Sequence, residues 1–165
     1  TRFDMVRVGI AMYGCHPSPF TQGLVDLKPV MSVHARVTNV NAVPMSEGVS
    51  YGLHYRSPGS VKICTLPIGY ADGLWRGLSG RIDFLVNGVP FRQVGAICMD
   101  QCMFEVNMRT AASRKFMTPQ VGDEAIVVGE QDGLAITIDE LAELMGTISY
   151  EVTVRFGERL PRVYV

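Results

Sequence analysis

Three short segments pair glycine with groups able to do chemistry: Val49-Ser50-Tyr51-Gly52, Pro67-Ile68-Gly69-Tyr70-Ala71-Asp72-Gly73 and Gly95-Ala96-Ile97-Cys98-Met99-Asp100-Gln101. A packed β domain has little use for tyrosines set between flexible residues. A ligand site does, because a phenol both donates and accepts hydrogen bonds and glycine lets backbone N–H groups come close. In the third segment apolar residues give way to charge where a strand would continue, which implies a bend with exposed amides. Arg7 is a further candidate, because it stands just before Gly9-Ile10, whose N–H groups would be free to hold an anion. Spacing alone favours the plainer reading of Arg7, a surface arginine beside an ordinary turn, since arginine is mostly exposed. Tyr13, Tyr55 and Tyr164 read as amphipathic rings packed at a barrel rim with their hydroxyls in water, and Cys98 reads as a core residue.

Other chemistries find less support. His16, His34 and His54 are too scattered to ligate a metal. Asp72 and Asp100 form a carboxylate pair only if the fold brings them together, which nothing in the sequence requires. The four cysteines, at 15, 64, 98 and 102, make no Cys-x-x-Cys pair and no Cys/His metal spacing, and no signal peptide is recognised. The cytoplasm with reduced thiols is therefore the expected setting. With 165 residues, 47% hydrophobic, 19% charged and a formal net charge of -1, the chain has the composition of a soluble globular domain. It has no basic excess for a nucleic-acid backbone and no apolar run approaching a membrane span of about 18 residues.

The elements that must hold these segments are read from hydrophobic period and turn chemistry. Phe3-Asp4-Met5-Val6-Arg7-Val8-Gly9-Ile10 reads as a strand running into a glycine turn with nothing before it to pair with, so a missing N-terminal portion is expected. Pro17, Ser18 and Pro19 then break the pattern ahead of Leu27-Lys28-Pro29, placing a boundary near residues 15 to 27. Valines alternating with polar residues from Val30 to Val40 predict one half-buried strand, long enough to bend across a barrel. Ser60 to Leu66 predicts a second, with Val61, Ile63 and Thr65 alternating against Lys62 and Cys64. Asn87-Gly88, within Phe84 to Phe91, supplies the two positive φ values of a type I′ hairpin. Two apolar stretches flank Met99-Asp100, and Glu124 to Val128 follows a Gly-Asp turn as a further strand. The one predicted helix begins at Thr137, where Thr137-Ile138-Asp139-Glu140 makes a capping box, Ile138, Leu141 and Met145 an apolar stripe, and Gly146 the stop. The expected architecture is mostly β, a small Greek-key-like barrel with one helix across it.

Taken together, these segments resemble the alanine racemases, fold-type III enzymes that use pyridoxal phosphate. Asp4-Met5-Val6-Arg7-Val8-Gly9-Ile10-Ala11-Met12-Tyr13-Gly14 is similar to the family's segment at the end of its (β/α)8 barrel. Glu47-Gly48-Val49-Ser50-Tyr51-Gly52, the Tyr70 and Met99 segments and Ser149-Tyr150-Glu151 match its C-terminal β domain in order, and the resemblance runs on through Arg159-Leu160-Pro161-Arg162-Val163-Tyr164. It implies that residues 1–24 end the barrel, here as a remnant, and that residues 25–165 are the β domain. The implied enzyme is a cytoplasmic homodimer with shared active sites that interconverts L-alanine and D-alanine for cell-wall peptidoglycan. The family's Schiff-base lysine, and the histidine that props its arginine, belong to the N-terminal barrel. Lys28, Lys62 and Lys115 match nothing in that lysine motif, so this chain alone is expected to be inactive.

Residue by residue, the resemblance makes Tyr51 the acid/base on one face of the cofactor plane, serving the partner subunit's site, with the barrel lysine on the other face. Two-base proton transfer at an aldimine requires that opposition. Arg7 matches the arginine that hydrogen-bonds the pyridine nitrogen and, being unable to give up its proton, keeps the ring neutral. Gly9 and Ile10 match amides that bind the cofactor phosphate, and Tyr150 a tyrosine whose hydroxyl does likewise. Met99 matches the residue whose N–H holds the substrate carboxylate, and Tyr70 a tyrosine that narrows the access channel to alanine-sized substrates. Ala96 stands where the family often has a basic residue, and Arg76 where its corridor arginine falls. Two other readings stay open on the residues alone: a non-catalytic β-barrel binding module, and a fold-type III amino-acid decarboxylase. The latter is disfavoured because Cys98 is followed by Met99 and not by an acid.

Overall fold

The computed structural model describes residues 4–107 and 118–165; Phe3 and Lys115, named above, lie outside the described residues. The strands are β1 (Val33–Arg36), β2 (Asn39–Val43), β3 (Gly48–Val49), β4 (Tyr55–Arg56), β5 (Val61–Leu66), β6 (Asp83–Val86), β7 (Val89–Val94), β8 (Cys102–Asn107), β9 (Glu124–Gln131) and β10 (Leu134–Ile136). Every pairing is antiparallel. The main sheet runs β1-β9-β6-β7-β8-β5-β2, with β10 on β9, while β3 and β4 form a separate small hairpin. Short strands joined by glycine turns make this layout: Asn87 (φ 51) and Gly88 (φ 70) close the β6–β7 hairpin in the predicted I′ form.

The stretch from Val30 to Val40 is two strands, not one. The Val37 N–H donates to the Asp123 carbonyl (2.9 Å) and the Thr38 N–H to the Thr65 carbonyl (2.9 Å). Adjacent residues thus bond to elements beside opposite ends of the sheet, and the chain crosses from β1 at one edge to β2 at the other in two residues. The sheet curls to allow it.

The strand expected over residues 3–10 does not form in its described part, residues 4–10. No described strand pairs with residues 4–8, whose Met5, Val6 and Val8 are exposed, and Gly9–Tyr13 is a short 3-10 helix ended by Gly14 at φ 80. Without a neighbour to receive its ladder hydrogen bonds, an apolar run has no reason to stay in strand geometry.

β5 is buried on both faces, because a second layer covers the face that carries Val61 and Ile63. Cys64 and Leu66 enter the main core with Phe84, Phe91 and Phe104, where Phe104 meets Phe84 edge-on (6.1 Å) and Phe91 tilted (5.5 Å). Val61 and Ile63 join Val49, Val94 and Met103 in a smaller cluster against Tyr55. The β3–β4 hairpin is thereby packed on the sheet.

Two helices follow β10: α1 (Ile138–Met145) and α2 (Ser149–Arg155). In α1 the Glu140 N–H donates to Thr137 Oγ1 (3.1 Å), the Thr137 N–H donates to the Glu140 carboxylate (2.7 Å), and Gly146 ends the helix at φ 68. Ile138, Leu141 and Ala142 are buried, with Met145 partly so. α2 corrects the expectation of a single helix. Its Val152, Thr153 and Val154 run is β-branched, which hides a helix from propensity reading, and Val152 and Thr153 are buried. No helix of the described residues is long and apolar enough to cross a membrane.

Candidate active site

The three glycine segments converge through backbone contacts. β3 and β4 carry between them a 3-10 turn, Tyr51–Leu53, entered through Ser50 at φ 69, a left-handed value that is strained for serine. Ser50 Oγ donates to the Ala96 carbonyl (2.8 Å) and lies 3.4 Å from Cys98 Sγ. Gly95 permits this approach, since a Cβ there would stand 2.7 Å from Ser50 Cβ and 2.9 Å from the Val49 carbonyl oxygen. The Tyr51 side chain is held outward, 76% exposed.

The Tyr70 segment seats on the same loop from the other side. The Tyr70 N–H donates to the Cys98 carbonyl (3.0 Å) and the Ala71 N–H to the Met99 carbonyl (3.0 Å). Gly69 makes the fit possible, for a Cβ at this extended residue would stand 2.2 Å from the Cys98 carbonyl oxygen. Asp72 closes the turn by accepting the Gly69 N–H (2.8 Å). Asp72 and Asp100 are brought together, but as two ligands of one cation: Arg159 Nε lies 3.3 Å from Asp72 Oδ1 and Nη2 lies 2.5 Å from Asp100 Oδ1. That interposed guanidinium replaces the acid–acid pair considered from sequence.

α2 links this region to the N-terminal turn. Gly73 passes so near its C-terminal end that a Cβ would stand 2.4 Å from the Arg155 carbonyl oxygen. Tyr150, in its first turn, is exposed, and its hydroxyl lies 3.9 Å from where a Gly9 Cβ would be. Gly9 itself has φ +69. The structure therefore brings Gly9 near Tyr150, the Tyr70–Ala71 turn onto Cys98–Met99, and the Tyr51 loop onto Ala96–Cys98. The Ile10 side chain is spent on the core. Arg7 is exposed, and its guanidinium has no hydrogen bond or ion pair among the described residues. Arg76, on a 3-10 helix over Arg76–Leu78, is likewise exposed, and Ala96 is buried beneath the Ser50 contact.

Tyr55 differs from expectation. Its hydroxyl donates to Glu105, and burial, then the Glu105 hydrogen bond, then its charge push the phenol upward so that it stays protonated. Its ring braces the hairpin that carries Tyr51. Burial likewise pushes the Cys64 thiol up to about 12 and the Cys102 thiol further, so both are neutral packing groups. Ser50 and Arg159 were not singled out from sequence. A serine before a tyrosine in a glycine-rich segment is a weak cue to a strained turn, and no local pattern marks Arg159.

Sheet and loop cluster define the class: a mostly β domain whose connecting loops present phenols and backbone amides. The family profile described as alanine racemase, C-terminal domain, matches residues 30–164. The alanine racemase of Synechocystis sp. is 40% identical over 163 residues, 99% of this chain and 42% of that protein. The solved alanine racemase of Streptomyces coelicolor superposes with a TM-score of 0.87 at 41% identity, covering 99% of this chain and 41% of that one. That of Bacillus anthracis, solved with bound L-Ala-P, gives 0.86 at 34% identity, covering 95% and 39%. The chain belongs to the alanine racemase C-terminal domain family. It spans about two fifths of the length of the curated relatives it matches.

Proposed function

We propose that this chain is the C-terminal part of an alanine racemase subunit, with residues 1–24 ending a barrel and residues 25–165 forming the β domain, and that it completes a pyridoxal-phosphate site shared across a cytoplasmic homodimer. One observation supports this most: residues that the resemblance assigns to a single site are brought together from distant segments, the Tyr70–Ala71 backbone bonding the Cys98–Met99 carbonyls and the Tyr150 hydroxyl standing near Gly9. The donor set suits a phosphorylated pyridine. An exposed guanidinium at Arg7, an exposed phenol at Tyr150 and a Gly9 backbone with no side chain between are all donors, which an anionic phosphate and a ring nitrogen require.

When bound, pyridoxal phosphate supplies the electron sink that acidifies the substrate's α-carbon proton. The chain's own residues bind, orient and move the proton. Tyr150 Oη and the Gly9 and Ile10 N–H groups would hold its phosphate, and Arg7 would donate to its ring nitrogen without releasing a proton. The Met99 N–H fixes the substrate carboxylate, and Tyr70 limits the size of what enters. Tyr51 Oη takes or returns the α-proton from one face while a lysine outside this chain serves the other.

Subunit mixing tests the reading. Two full-length variants, Tyr51→Ala and replacement of the Schiff-base lysine by alanine, should each fail to racemise L-alanine, while wild type succeeds. Exchanged heterodimers, isolated by two affinity tags, should regain activity because one of their two sites carries neither defect. Wild type without turnover rejects the racemase assignment; heterodimers without recovery reject the shared site.

A further inference from the structure

Arg159 reaches two segments that backbone hydrogen bonds also join. Its Nε meets Asp72 Oδ1 at 3.3 Å and its Nη2 meets Asp100 Oδ1 at 2.5 Å. Asp72 belongs to the Tyr70 turn, and Asp100 follows Met99 directly. The plain alternative is a surface ion pair of little consequence, and Asp100 alone would fit that, being 58% exposed. Asp72 does not: its side chain is 7% exposed, and its second oxygen accepts the Gly69 N–H. A buried carboxylate must be paired, and with both acids within the span of one guanidinium, removing the cation leaves two like charges facing each other. Their repulsion would bear on the two hydrogen bonds that hold Tyr70 to Cys98 and Ala71 to Met99.

We infer that Arg159 is a positioning residue for the substrate: by bridging Asp72 and Asp100 it sets the distance between Tyr70 and the Met99 N–H. The inference rests on the racemase reading above, in which those two groups meet alanine. Lysine cannot replace it fully, because a single ammonium point charge lacks the planar fork that spans two acids.

The test uses the full-length enzyme and its kinetics with L-alanine, wild type first, since its turnover decides the racemase reading by itself. Arg159→Ala should raise KM about tenfold with kcat changed less than about threefold, and Arg159→Lys should lie between. Arg159→Ala combined with Asp100→Asn should recover most of the lost KM, because it removes the repulsion without restoring the bridge. Hydrogen exchange of the peptides covering residues 69–73 and 98–101 should quicken in Arg159→Ala, return toward wild type in the double variant, and leave β5 and β8 unchanged. An unmoved KM, a loss confined to kcat, or a double variant no better than Arg159→Ala overturns the proposal. If Arg159→Ala does not fold, Arg159→Lys and its combination with Asp100→Asn decide by the same criteria.

Discussion

Ser50 shows how one residue aims another. Its left-handed φ of 69 costs energy, and the hydroxyl bond to Ala96 helps to hold it there, so the chain turns outward just where Tyr51 begins. The Tyr51 hydroxyl has no partner among the described residues, so its removal should leave the fold alone. We predict that Tyr51→Phe in the full-length enzyme lowers kcat by about 10²- to 10⁴-fold while the thermal midpoint stays unchanged. Activity within about tenfold of wild type would remove Tyr51 from the proton transfer. At this scale the sequence marks out residues that sit in a distinctive local string, as Tyr70 and Met99 do. It was silent on Arg159, whose partners lie far along the chain, and misleading on Tyr55, whose hydroxyl finds Glu105 through a strand pairing that no local pattern announces.

Among elements, the turn at Gly69 carries the tightest packing between site segments. Gly69 has an extended backbone, so alanine there meets no φ penalty and any loss is steric. Gly133, in the β9–β10 turn, is the reverse: φ is +79, yet nothing lies within 4 Å of a built Cβ. Gly133→Ala should therefore cost about 1 kcal/mol, and Gly69→Ala about 3 kcal/mol or more, because a Cβ 2.2 Å from a carbonyl oxygen forces the loops apart. Thermal unfolding of both variants checks the order; equal losses would mean that the 98–99 loop gives way freely. Elements defined by their own residues were legible in advance, notably the Asn87-Gly88 hairpin and the Thr137 capping box. α2 was not, since its β-branched run mimics a strand. Nor was the break at Val37–Thr38, which exists only because Asp123 and Thr65 lie where they do.

On the scale of the whole molecule, the mostly β class was legible from the density of alternating segments and turns, whereas strand order was not, because it depends on which distant edges meet. The step at Val37–Thr38 has a kinetic consequence. On one side of it, β2 pairs with β5 from Asn39↔Thr65 to Val43↔Val61, a short excursion of chain. On the other, β1 pairs with β9 from Val33↔Val128 to Arg36↔Glu124, enclosing most of the chain. Closing a longer loop costs more entropy, and distant pairings slow folding. Two neighbouring residues thus belong to an earlier and a later part of the sheet to assemble. Pulse-labelled hydrogen exchange during refolding should protect residues 39–43 and 61–66 before 33–36 and 124–131. Protection of β1 and β9 first would reverse that order. If it holds, the β1 edge of the sheet closes last, and an interrupted chain is left with β9 lacking its β1 partner.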